Sequence, residues 1–556
     1  MSKYVYGIDL GTTYSCIAYQ DESGRPVVLK NVEGSNTTPS VVQFSEDGKE
    51  VIVGQVAKDT AVLEAPYTIQ FVKRKMGKEK EVPYGPEDAP LTKSPIEISS
   101  YILKKLAADA GEANDDEVTD VVITCPAYFG DEERNATREA GKAAGLNVLS
   151  LIDEPTAAAI YYGLTTGENK TVMVYDLGGG TFDISIIKVE DGKIKVICTD
   201  GDHDLGGENW DKEVSAYIAG EFEEQTGFSG DYDEEALQDM ALKVERAKIQ
   251  LSGKEKTKIM FTTEGYKGKI ELTRETFDSL TQSLRQSTID LTTSVLELAK
   301  EKYGIDHIDE FLLVGGSSRM PQIDKAIKNA LQIEPKMLDP EEAVAKGAAM
   351  YAAIESYRQA VIDYKKEHGP IPQPNPGESD DEETPESIFG IGGKQSALPQ
   401  NIDIEDIGDE GSIIETVTSK SFGIEVIDKN DKLLIANMII KNSKTPADIT
   451  QTFSTVCANQ NTVQLTLYES TYLDETYDVD NDLVLGEAEL ELPPNLPKGS
   501  PIDVTLRLSS EGTLEMTGRE PSSNREVHAT FTSDIRATDE ELEEIQQNVN
   551  NIKLSN

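Results

Sequence analysis

The chain has 556 residues, of which 101 are acidic and 53 are basic, giving a formal net charge of −48 and a pI near 4.4. A chain of this length exceeds one hydrophobic core, so we expect two to four domains. The acidic excess argues against a surface that binds nucleic acid or an anionic membrane. It is equally compatible with a surface that serves only solubility.

Four cysteines, Cys16, Cys125, Cys198 and Cys457, lie far apart in the sequence and form no metal-spaced pair. This spacing favours buried reduced thiols over disulfides or zinc ligands. Residues 1–20 contain no charged-then-apolar leader, and no apolar run approaches the ~18 residues typical of a membrane span. We therefore expect a cytoplasmic protein without membrane contacts.

Residues 1–360 alternate strand-like and helix-like patterns. "VVITCPAYF" (121–129) and "VMVYDL" (172–177) are typical of buried strands, whereas 131–145 and 234–251 have helical periodicity. Such alternation predicts an α/β domain with mixed sheets.

The composition changes at about Tyr364. Residues 378–411 contain eleven acidic residues and one lysine, and prolines are frequent just before and within this run. This composition is typical of a disordered tether; an acidic segment that binds a partner is the alternative.

Short alternating segments with regular turn residues follow from residue 417 to 536, which is the pattern of an antiparallel β-sandwich. A helix start comes next at 537–549, where Thr538 is the expected N-cap and Glu541 completes a capping box.

Two similar glycine turns suggest the chemistry. "YVYGIDLGTTYSCIAYQD" (4–21) and "MVYDLGGGTFDISIIKV" (173–189) each read as a strand, an aspartate, a glycine turn with a hydroxyl, and a second strand. Backbone N–H groups in a turn without Cβ atoms can bind phosphate oxygens, and a nearby carboxylate suits hydrated Mg²⁺. Each turn could instead be an ordinary tight hairpin. The GxxxxGK[ST] motif is absent, which excludes a P-loop NTPase.

Longer stretches resemble the DnaK-type heat-shock chaperone family. They cover residues 4–353 almost continuously: "IDLGTTYSCIAY", "VVITCPAYFGDEERNATREAGKAAGL", "LIDEPTAAAIYYGL", "YDLGGGTFDISI", "LGGENWD", "ERAKIQLS", "LLVGGSSRMPQI" and "DPEEAVAKGAA". The resemblance implies an α/β actin-like ATPase domain (a duplicated ribonuclease-H-like fold) at 1–362. It also implies an acidic tether and linker at 363–416, a β-sandwich peptide-binding domain at 417–536 and a short helix, a stub of the family's lid, at 537–556.

The resemblance also implies roles for individual residues. Lys73 corresponds to the lysine that positions the attacking water; a lone lysine would otherwise be surface charge. Asp9 and Asp176 correspond to water-mediated magnesium partners, and Glu154 and Asp183 to carboxylates that orient water, with capping of strand ends as the alternative. The residues implied to cradle the phosphates are Thr12, Thr13, Tyr14, Gly178, Gly179, Gly180 and Thr181, and Thr181 is also assigned a catalytic role with Lys73, Glu154 and Asp183. Gly11, Gly206 and Gly207 are implied to bind the nucleotide.

A further set corresponds to the adenosine pocket of ATP or ADP. Glu245, Lys248 and Ser252 share one helix face, which could alternatively be a solvated salt-bridge stripe. The opposite wall is implied to contain Gly315, Gly316, Ser317, Arg319 and Asp339.

The β-rich part resembles the family's peptide groove more loosely. Pro126 and Arg134 match the relay between nucleotide state and sandwich. The implied groove lining, which could equally be sandwich core, is Ile424, Ile427, Phe453, Val456, Val463 and Leu465.

Several departures from the family pattern concern partners. The first lobe is short after Lys73, and 253–273 lacks a long exposed loop, so the usual nucleotide-exchange factor is doubtful. The linker "GSIIETV" (411–417) keeps only Ile413 and Ile414 as apolar residues. Thr416 and Ser150 replace an ion pair of the family, which questions coupling to a J-domain co-chaperone. Few residues follow the last strand, so we expect a groove without its helical lid.

We interpret the chain as an ATP-dependent chaperone that binds extended apolar segments of unfolded polypeptides and hydrolyses ATP slowly. The alternative is a weakly hydrolysing scaffold that docks one fixed partner. A sugar kinase on the same fold is disfavoured by the sandwich.

Overall fold

A computed structural model describes residues 3–166, 168–190, 193–369, 414–509, 512–530 and 537–555. The acidic run at 378–411 lies outside the described residues. No helix within the described ranges combines the length and the apolar character that crossing a membrane requires.

The first lobe is built on a mixed sheet in the order β11-β10-β1-β2-β3, with β4 paired to β2. Its strands are β1 (Tyr6–Asp9), β2 (Tyr14–Gln20), β3 (Pro26–Val28), β4 (Thr38–Pro39), β5 (Val42–Phe44), β6 (Glu50–Val53), β7 (Thr68–Ile69), β8 (Val82–Tyr84), β9 (Leu91–Lys93), β10 (Asp120–Cys125) and β11 (Asn147–Asp153). Its helices are α1 (Gln55–Thr60), α2 (Pro95–Asn114) and α3 (Asp131–Ala143), with 3-10 turns at Ala65–Tyr67 and Val72–Lys75.

The second lobe has a sheet in the order β18-β17-β12-β13-β14. Its strands are β12 (Lys170–Leu177), β13 (Phe182–Glu190), β14 (Lys193–Asp202), β15 (Lys256–Thr263), β16 (Tyr266–Thr273), β17 (Glu310–Val314) and β18 (Lys336–Met337). The helices are α4 (Glu154–Thr166), α5 (Gly207–Thr226), α6 (Glu234–Gly253), α7 (Arg274–Leu280), α8 (Gln282–Tyr303), α9 (Pro321–Leu331) and α10 (Ala343–His368), with a 3-10 turn at Gly316–Arg319.

The two lobes repeat one topology. In each, three antiparallel strands (β1–β3 or β12–β14) are followed by two strands parallel to the first of them (β10 and β11, or β17 and β18). The two glycine turns occupy equivalent places, between β1 and β2 and between β12 and β13. The duplicated α/β fold is therefore visible in the strand order itself.

The next part consists of two packed antiparallel sheets, β24-β21-β20-β23-β25 and β22-β26-β27-β28. A linker strand precedes them, and a 3-10 turn lies at Asn481–Leu483. The strands are β19 (Ile414–Glu415), β20 (Ser421–Ile427), β21 (Leu433–Ile439), β22 (Ala447–Ser454), β23 (Thr462–Ser470), β24 (Thr476–Asp478), β25 (Val484–Glu491), β26 (Pro501–Leu508), β27 (Leu514–Glu520) and β28 (Arg525–Thr530). Alternating inward side chains form one apolar core between the sheets, as the sequence pattern predicts.

The last described elements are α11 (Asp539–Asn551) and β29 (Lys553–Ser555). The capping box of Thr538 and Glu541 is present at the start of α11. Both elements lie on the first lobe, where β29 extends the sheet β6-β5-β7. The expectation of a lid stub did not anticipate this location.

Glycines let the central helices pack at very short range. A Cβ atom on Gly347 of α10 would lie 1.7 Å from the carbonyl oxygen of Ala157 in α4, and one on Gly7 of β1 would lie 2.0 Å from the nitrogen of Ala349. Helix α10 thus packs backbone against backbone on elements of both lobes.

We expect Gly347→Ala to lower the free energy of unfolding by about 1–3 kcal/mol, because the backbone of α4 must move to admit the methyl group. Gly220→Ala is the matched control, since the middle of α5 has open space there. It should stabilise the helix by about 0.5–1 kcal/mol. Thermal unfolding monitored by circular dichroism would measure both changes, and equal midpoints for the two variants would contradict this account.

Candidate functional site

A cavity of about 580 Å³ lies between the two lobes. It collects side chains from both glycine turns, from the 3-10 turn at Val72–Lys75, from α5 and α6, and from the turn after β17. The predicted residues that line it are Asp9, Gly11, Thr12, Thr13, Tyr14, Lys73, Glu154, Asp176, Gly178, Gly179, Thr181, Glu245, Lys248, Ser252, Gly315, Gly316, Ser317 and Arg319.

The two glycine turns touch each other at the floor of the cavity. A Cβ atom on Gly179 would lie 1.8 Å from Thr13 Oγ1, and one on Gly180 would lie 2.4 Å from Thr12 Cγ2. A Cβ on Gly206, at the start of α5, would lie 2.4 Å from the carbonyl carbon of Gly180. The glycines are therefore required for the two turns and the helix start to meet around one volume.

Four carboxylates and one lysine cluster beside these turns. Lys73 is buried and forms an ion pair with Glu154, the first residue of α4. Thr124 Oγ1 donates a hydrogen bond of 3.1 Å to Asp9 Oδ1. The backbone N–H of Ala127 donates one of 2.9 Å to Asp183 Oδ1. Asp183 lies opposite Asp176 in the β12–β13 register. One lysine cannot balance the charge of four ionised carboxylates.

Burial and mutual repulsion raise the pKa values in this cluster. Burial, and then the charge of Glu154, raise the pKa of Asp9 to about 7, although Lys73 opposes the shift. The same two causes raise the pKa of Asp176 and of Asp183 well above the usual range. Burial alone would lower the pKa of Lys73, but Glu154 and Asp9 raise it. The cluster is thus suited to receive additional positive charge.

Five of the residues predicted for the nucleotide site do not line the cavity. Gly180, Gly206 and Gly207 lie behind its wall, where the turns and the start of α5 meet, and Asp183 lies behind it with its carboxylate bound to the Ala127 N–H. Asp339 is further removed, because its carboxylate accepts hydrogen bonds from Lys346 Nζ (2.6 Å) and from the Tyr161 hydroxyl (2.9 Å).

Two helix faces in the wall were not predicted in full. In α5 the lining residues follow the spacing i, i+3, i+4, i+7 from Glu208, and in α6 the same spacing starts at Gln238. This helical periodicity is the sequence signal from which these lining residues could have been predicted. The lining residues that were missed are Thr37, Lys58, Gln70, Phe71, Glu208, Asp211, Lys212, Ser215, Gln238, Ala241, Leu242, Ile249, Met320, Pro340, Glu341 and Val344.

Lys58 of α1 bridges the mouth of the cavity. Its Nζ is 2.6 Å from Glu245 Oε2 in α6 and donates a 2.9 Å hydrogen bond to the Tyr14 hydroxyl. Arg74 makes a second bridge, from the first lobe to Glu208 (2.7 Å) and to the carbonyl oxygen of Gly180. Both contacts join the lobes across the site.

The comparisons with known proteins agree with this geometry. The model of the Hsp70 protein family matches residues 5–365 and 401–556. The chain is 36% identical over 554 residues to the chaperone protein DnaK of Thermosipho melanesiensis, covering 98% of this chain and 82% of that protein. The DnaK of Thermotoga neapolitana is 36% identical over 552 residues, 97% of this chain and 82% of that protein. The chain belongs to the Hsp70 family.

Membership confirms three predictions. The fold is a duplicated actin-like α/β ATPase domain followed by a β-sandwich. The protein is an ATP-hydrolysing enzyme, and it is an ATP-dependent molecular chaperone. The alternative of a non-hydrolysing scaffold is not favoured by these relatives.

The Hsp70 linker binds the ATPase domain directly. Ile414 is buried, and β19 pairs in parallel with β14, Ile414 opposite Ile194 and Glu415 opposite Lys195. Glu415 also forms an ion pair of 2.5 Å with Lys444.

The sandwich contacts the second lobe beside this strand. Lys441 Nζ lies 2.6 Å from Asp200 Oδ1, and the backbone N–H of Thr199 donates to Asn442 Oδ1 at 2.9 Å. The Tyr303 hydroxyl donates to the Asn442 carbonyl oxygen at 3.1 Å. The sandwich is docked on the ATPase domain in this structure.

Arg134 lies at the junction with the first lobe. It forms an ion pair with Asp153, and its Nε donates to the Phe129 carbonyl oxygen at 3.0 Å. Ser419 Oγ, at the start of the sandwich, donates to that same carbonyl oxygen at 3.3 Å. Pro126 precedes Ala127, whose N–H holds Asp183. A short run of backbone thus separates the carboxylate cluster from the sandwich.

The six predicted groove residues divide into two groups. Ile424 and Leu465 are buried in the sandwich core, and Phe453 and Val463 pack against it while partly exposed. Ile427 and Val456 are 47% and 46% exposed.

We expect Lys58→Ala to accelerate nucleotide release about five- to thirty-fold, because a largely buried bridge between the lobes worth about 1–2 kcal/mol is lost. Stopped-flow release of a fluorescent ATP analogue would measure this rate. Lys243→Ala is the matched control, since its ion pair with Asp239 stays within α6. An unchanged release rate for Lys58→Ala would contradict the role of the bridge.

We expect docking of the sandwich to be favoured by mild acid. Burial in the interface, together with the charges of Glu133 and Asp131 of α3, raises the pKa of Glu469 from 4.5 to about 7, although Lys420 and the N–H of Asp131 oppose the shift. The docked state therefore binds a proton that the undocked state releases. The stabilisation of the docked state by this proton is complete below pH 4.5 and is lost as the pH rises through about 7.

Hydrogen exchange at residues 130–133, corrected for intrinsic rates, would measure this dependence between pH 6 and 8. Glu469→Gln should abolish it, while Glu475→Gln, at an exposed position of the same domain, should preserve it. Equal pH dependence in both variants would refute the assignment.

Proposed function

We propose that ATP or ADP binds in the inter-lobe cavity with its phosphates on the two glycine turns. The turns offer backbone N–H groups between Thr12 and Tyr14 and between Gly179 and Thr181, whereas the N–H groups of Gly11 and Gly178 already donate to Ser15 Oγ and to the Thr181 carbonyl oxygen. The hydroxyls of Thr12, Thr13 and Thr181 belong to the same two turns. The contact between Gly179 and Thr13 supports this proposal, because it brings both turns to one volume.

Mg²⁺ fits the carboxylates beside the turns. Asp9 and Asp176 line the cavity, and burial raises the pKa of both in the absence of a cation. Among the described residues no three acidic, histidine or cysteine side chains converge to chelate a metal on their own. Magnesium bound mainly by phosphates and waters agrees with that donor set, and it supplies charge neutralisation to the phosphoryl group.

Lys73 is the proposed catalytic cation. Its ion pair with Glu154 holds the ammonium group within the cavity, where it can position a water for attack on the terminal phosphate. Glu154 accepts from that lysine and can orient the water. Thr181 faces the cavity, whereas Asp183 lies behind the wall, where its carboxylate accepts a hydrogen bond from the Ala127 N–H after β10. Hydrolysis here depends on positioning and electrostatics.

The nucleoside is proposed to lie between α6 and the turn after β17. Lys248 Nζ is held by the Gly207 carbonyl oxygen (2.9 Å) and by Asp211 Oδ2 (2.5 Å) at this wall. Glu245 and Ser252 share its helix face, and Gly315, Gly316, Ser317 and Arg319 form the opposite side.

Clients are proposed to be extended apolar segments of unfolded polypeptides, bound at the sandwich. The exposed side chains of Ile427 and Val456 and the partly exposed Phe453 and Val463 support this site, with Ile424 and Leu465 as its buried base. Extended segments bind such surfaces by backbone pairing and alternate side-chain pockets.

Arg134 and Pro126 are proposed to relay nucleotide state to the sandwich. A J-domain co-chaperone, an altered exchange-factor requirement and a cytoplasmic location stay predictions of the same kind, as do the domain limits at residues 362, 416 and 536.

Steady-state ATP turnover of Lys73→Ala, with and without an unfolded apolar peptide, tests the proposal. We expect turnover to fall about 100-fold or more, because the cation is lost at a buried site. Lys75→Ala is the matched control in the same 3-10 turn, since its ion pair with Glu79 is solvent-exposed. In the unmodified chain, peptide should raise turnover. If the unmodified chain binds ATP tightly, turns it over negligibly and shows no change in turnover with peptide, the result would instead support the scaffold that docks one fixed partner.

A further inference from the structure

The last helix has one apolar face, and the first lobe covers it. Leu542, Ile545, Val549 and Ile552 follow the spacing i, i+3, i+7, i+10. Val549 is fully buried and Ile545 is 7% exposed, and both belong to the same apolar cluster as the strands and α2 of the first lobe. Since these side chains already face the first lobe, no second apolar face remains on α11 to cover the sandwich.

The chain then adds a strand to the ATPase domain. Strand β29 pairs in parallel with β6, with Lys553 opposite Glu50, Leu554 opposite Val51 and Ser555 opposite Ile52. The Leu554 side chain packs against the apolar cluster of the first lobe. Strand addition satisfies the backbone groups of an otherwise open sheet edge.

Polar contacts hold both ends of the segment. Lys104 of α2 donates to the carbonyl oxygen of Val549 in the last turn of α11. Lys80 lies 3.2 Å from Glu541 at the start of the helix, and Lys553 lies 2.7 Å from Glu50 at the strand. The helix, the strand and their charged neighbours therefore match one surface of the first lobe along the whole segment.

We propose that residues 537–555 are a constitutive anchor, bound to the first lobe in the ATP and the ADP states alike. The linker strand β19 fixes the beginning of the sandwich to the second lobe, and the anchor fixes its end to the first lobe. A change in the angle between the lobes must then be transmitted to the sandwich at two points. The anchor is part of the ATPase domain, and it does not cycle onto the peptide-binding surface.

A reversible cross-link tests whether the anchor stays bound to the first lobe in both nucleotide states. Glu50→Cys and Lys553→Cys place two cysteines at an exposed register pair of adjacent strands, within disulfide range. The exposed Cys457 is replaced by serine in this background. We expect the disulfide to form to the same extent within twofold in ATP and in ADP. Formation in only one nucleotide state would overturn the proposal.

Hydrogen exchange on the unmodified chain provides an independent readout. Amides of 545–555 should exchange at rates equal within about threefold in ATP and ADP. Val549→Asp should raise these rates at least tenfold and also raise those of β6, whereas Gln546→Asp, on the exposed face of the same helix, should not. Nucleotide-dependent protection of 545–555, or protection unaffected by Val549→Asp, would overturn the proposal.

Discussion

The cleft depends on the contact between two glycine turns. Each turn connects the first two strands of its lobe, and the side chains of Thr12 and Thr13 occupy the space that Cβ atoms on Gly180 and Gly179 would need. The duplicated topology brings the turns to equivalent positions, but only the missing Cβ atoms allow them to touch. Gly315 is a third position where the site requires glycine, since its φ of +80° and its proximity to Asp176 Oδ1 both exclude a side chain. The proposed phosphate site thus depends first on backbone geometry.

That closeness creates an electrostatic problem that the ligand resolves. The turns bring Asp9 and Asp176 into a buried space together with Glu154 and Asp183, with Lys73 as their nearest cation. Burial and repulsion therefore raise the carboxylate pKa values. In the proposed function, the Mg²⁺ ion that accompanies a nucleotide would add positive charge beside these carboxylates. The electrostatic cost of the cluster would then favour a metal-bound polyphosphate over a free one.

Local patterns made much of this predictable. The glycine turns, the alternating sandwich strands and the Thr538–Glu541 capping box depend on neighbours in sequence, so an α/β part followed by a sandwich was predictable from them, and the actin-like duplication from the family resemblance. The bridges Lys58–Glu245 and Arg74–Glu208 join residues more than 130 positions apart, and single surface-type residues give no sign of such partners. Asp339 illustrates the opposite error, because a motif match could not reveal that Lys346 and Tyr161 engage its carboxylate. The amphipathic face of α11 was readable, but the surface that covers it was not.

The contacts between the ATPase domain, the linker strand and the sandwich involve main-chain groups. Strand addition of β19 to β14 needs main-chain groups and one buried apolar side chain, and Ile414 supplies the latter. Glu415 of the same strand contacts Lys195 at 3.6 Å and Lys444 at 2.5 Å. Arg134 pairs with Asp153 inside the first lobe and meets the sandwich through the Phe129 carbonyl oxygen. Main-chain groups thus provide the pairing of the linker strand with β14 and part of the contact between the sandwich and the first lobe.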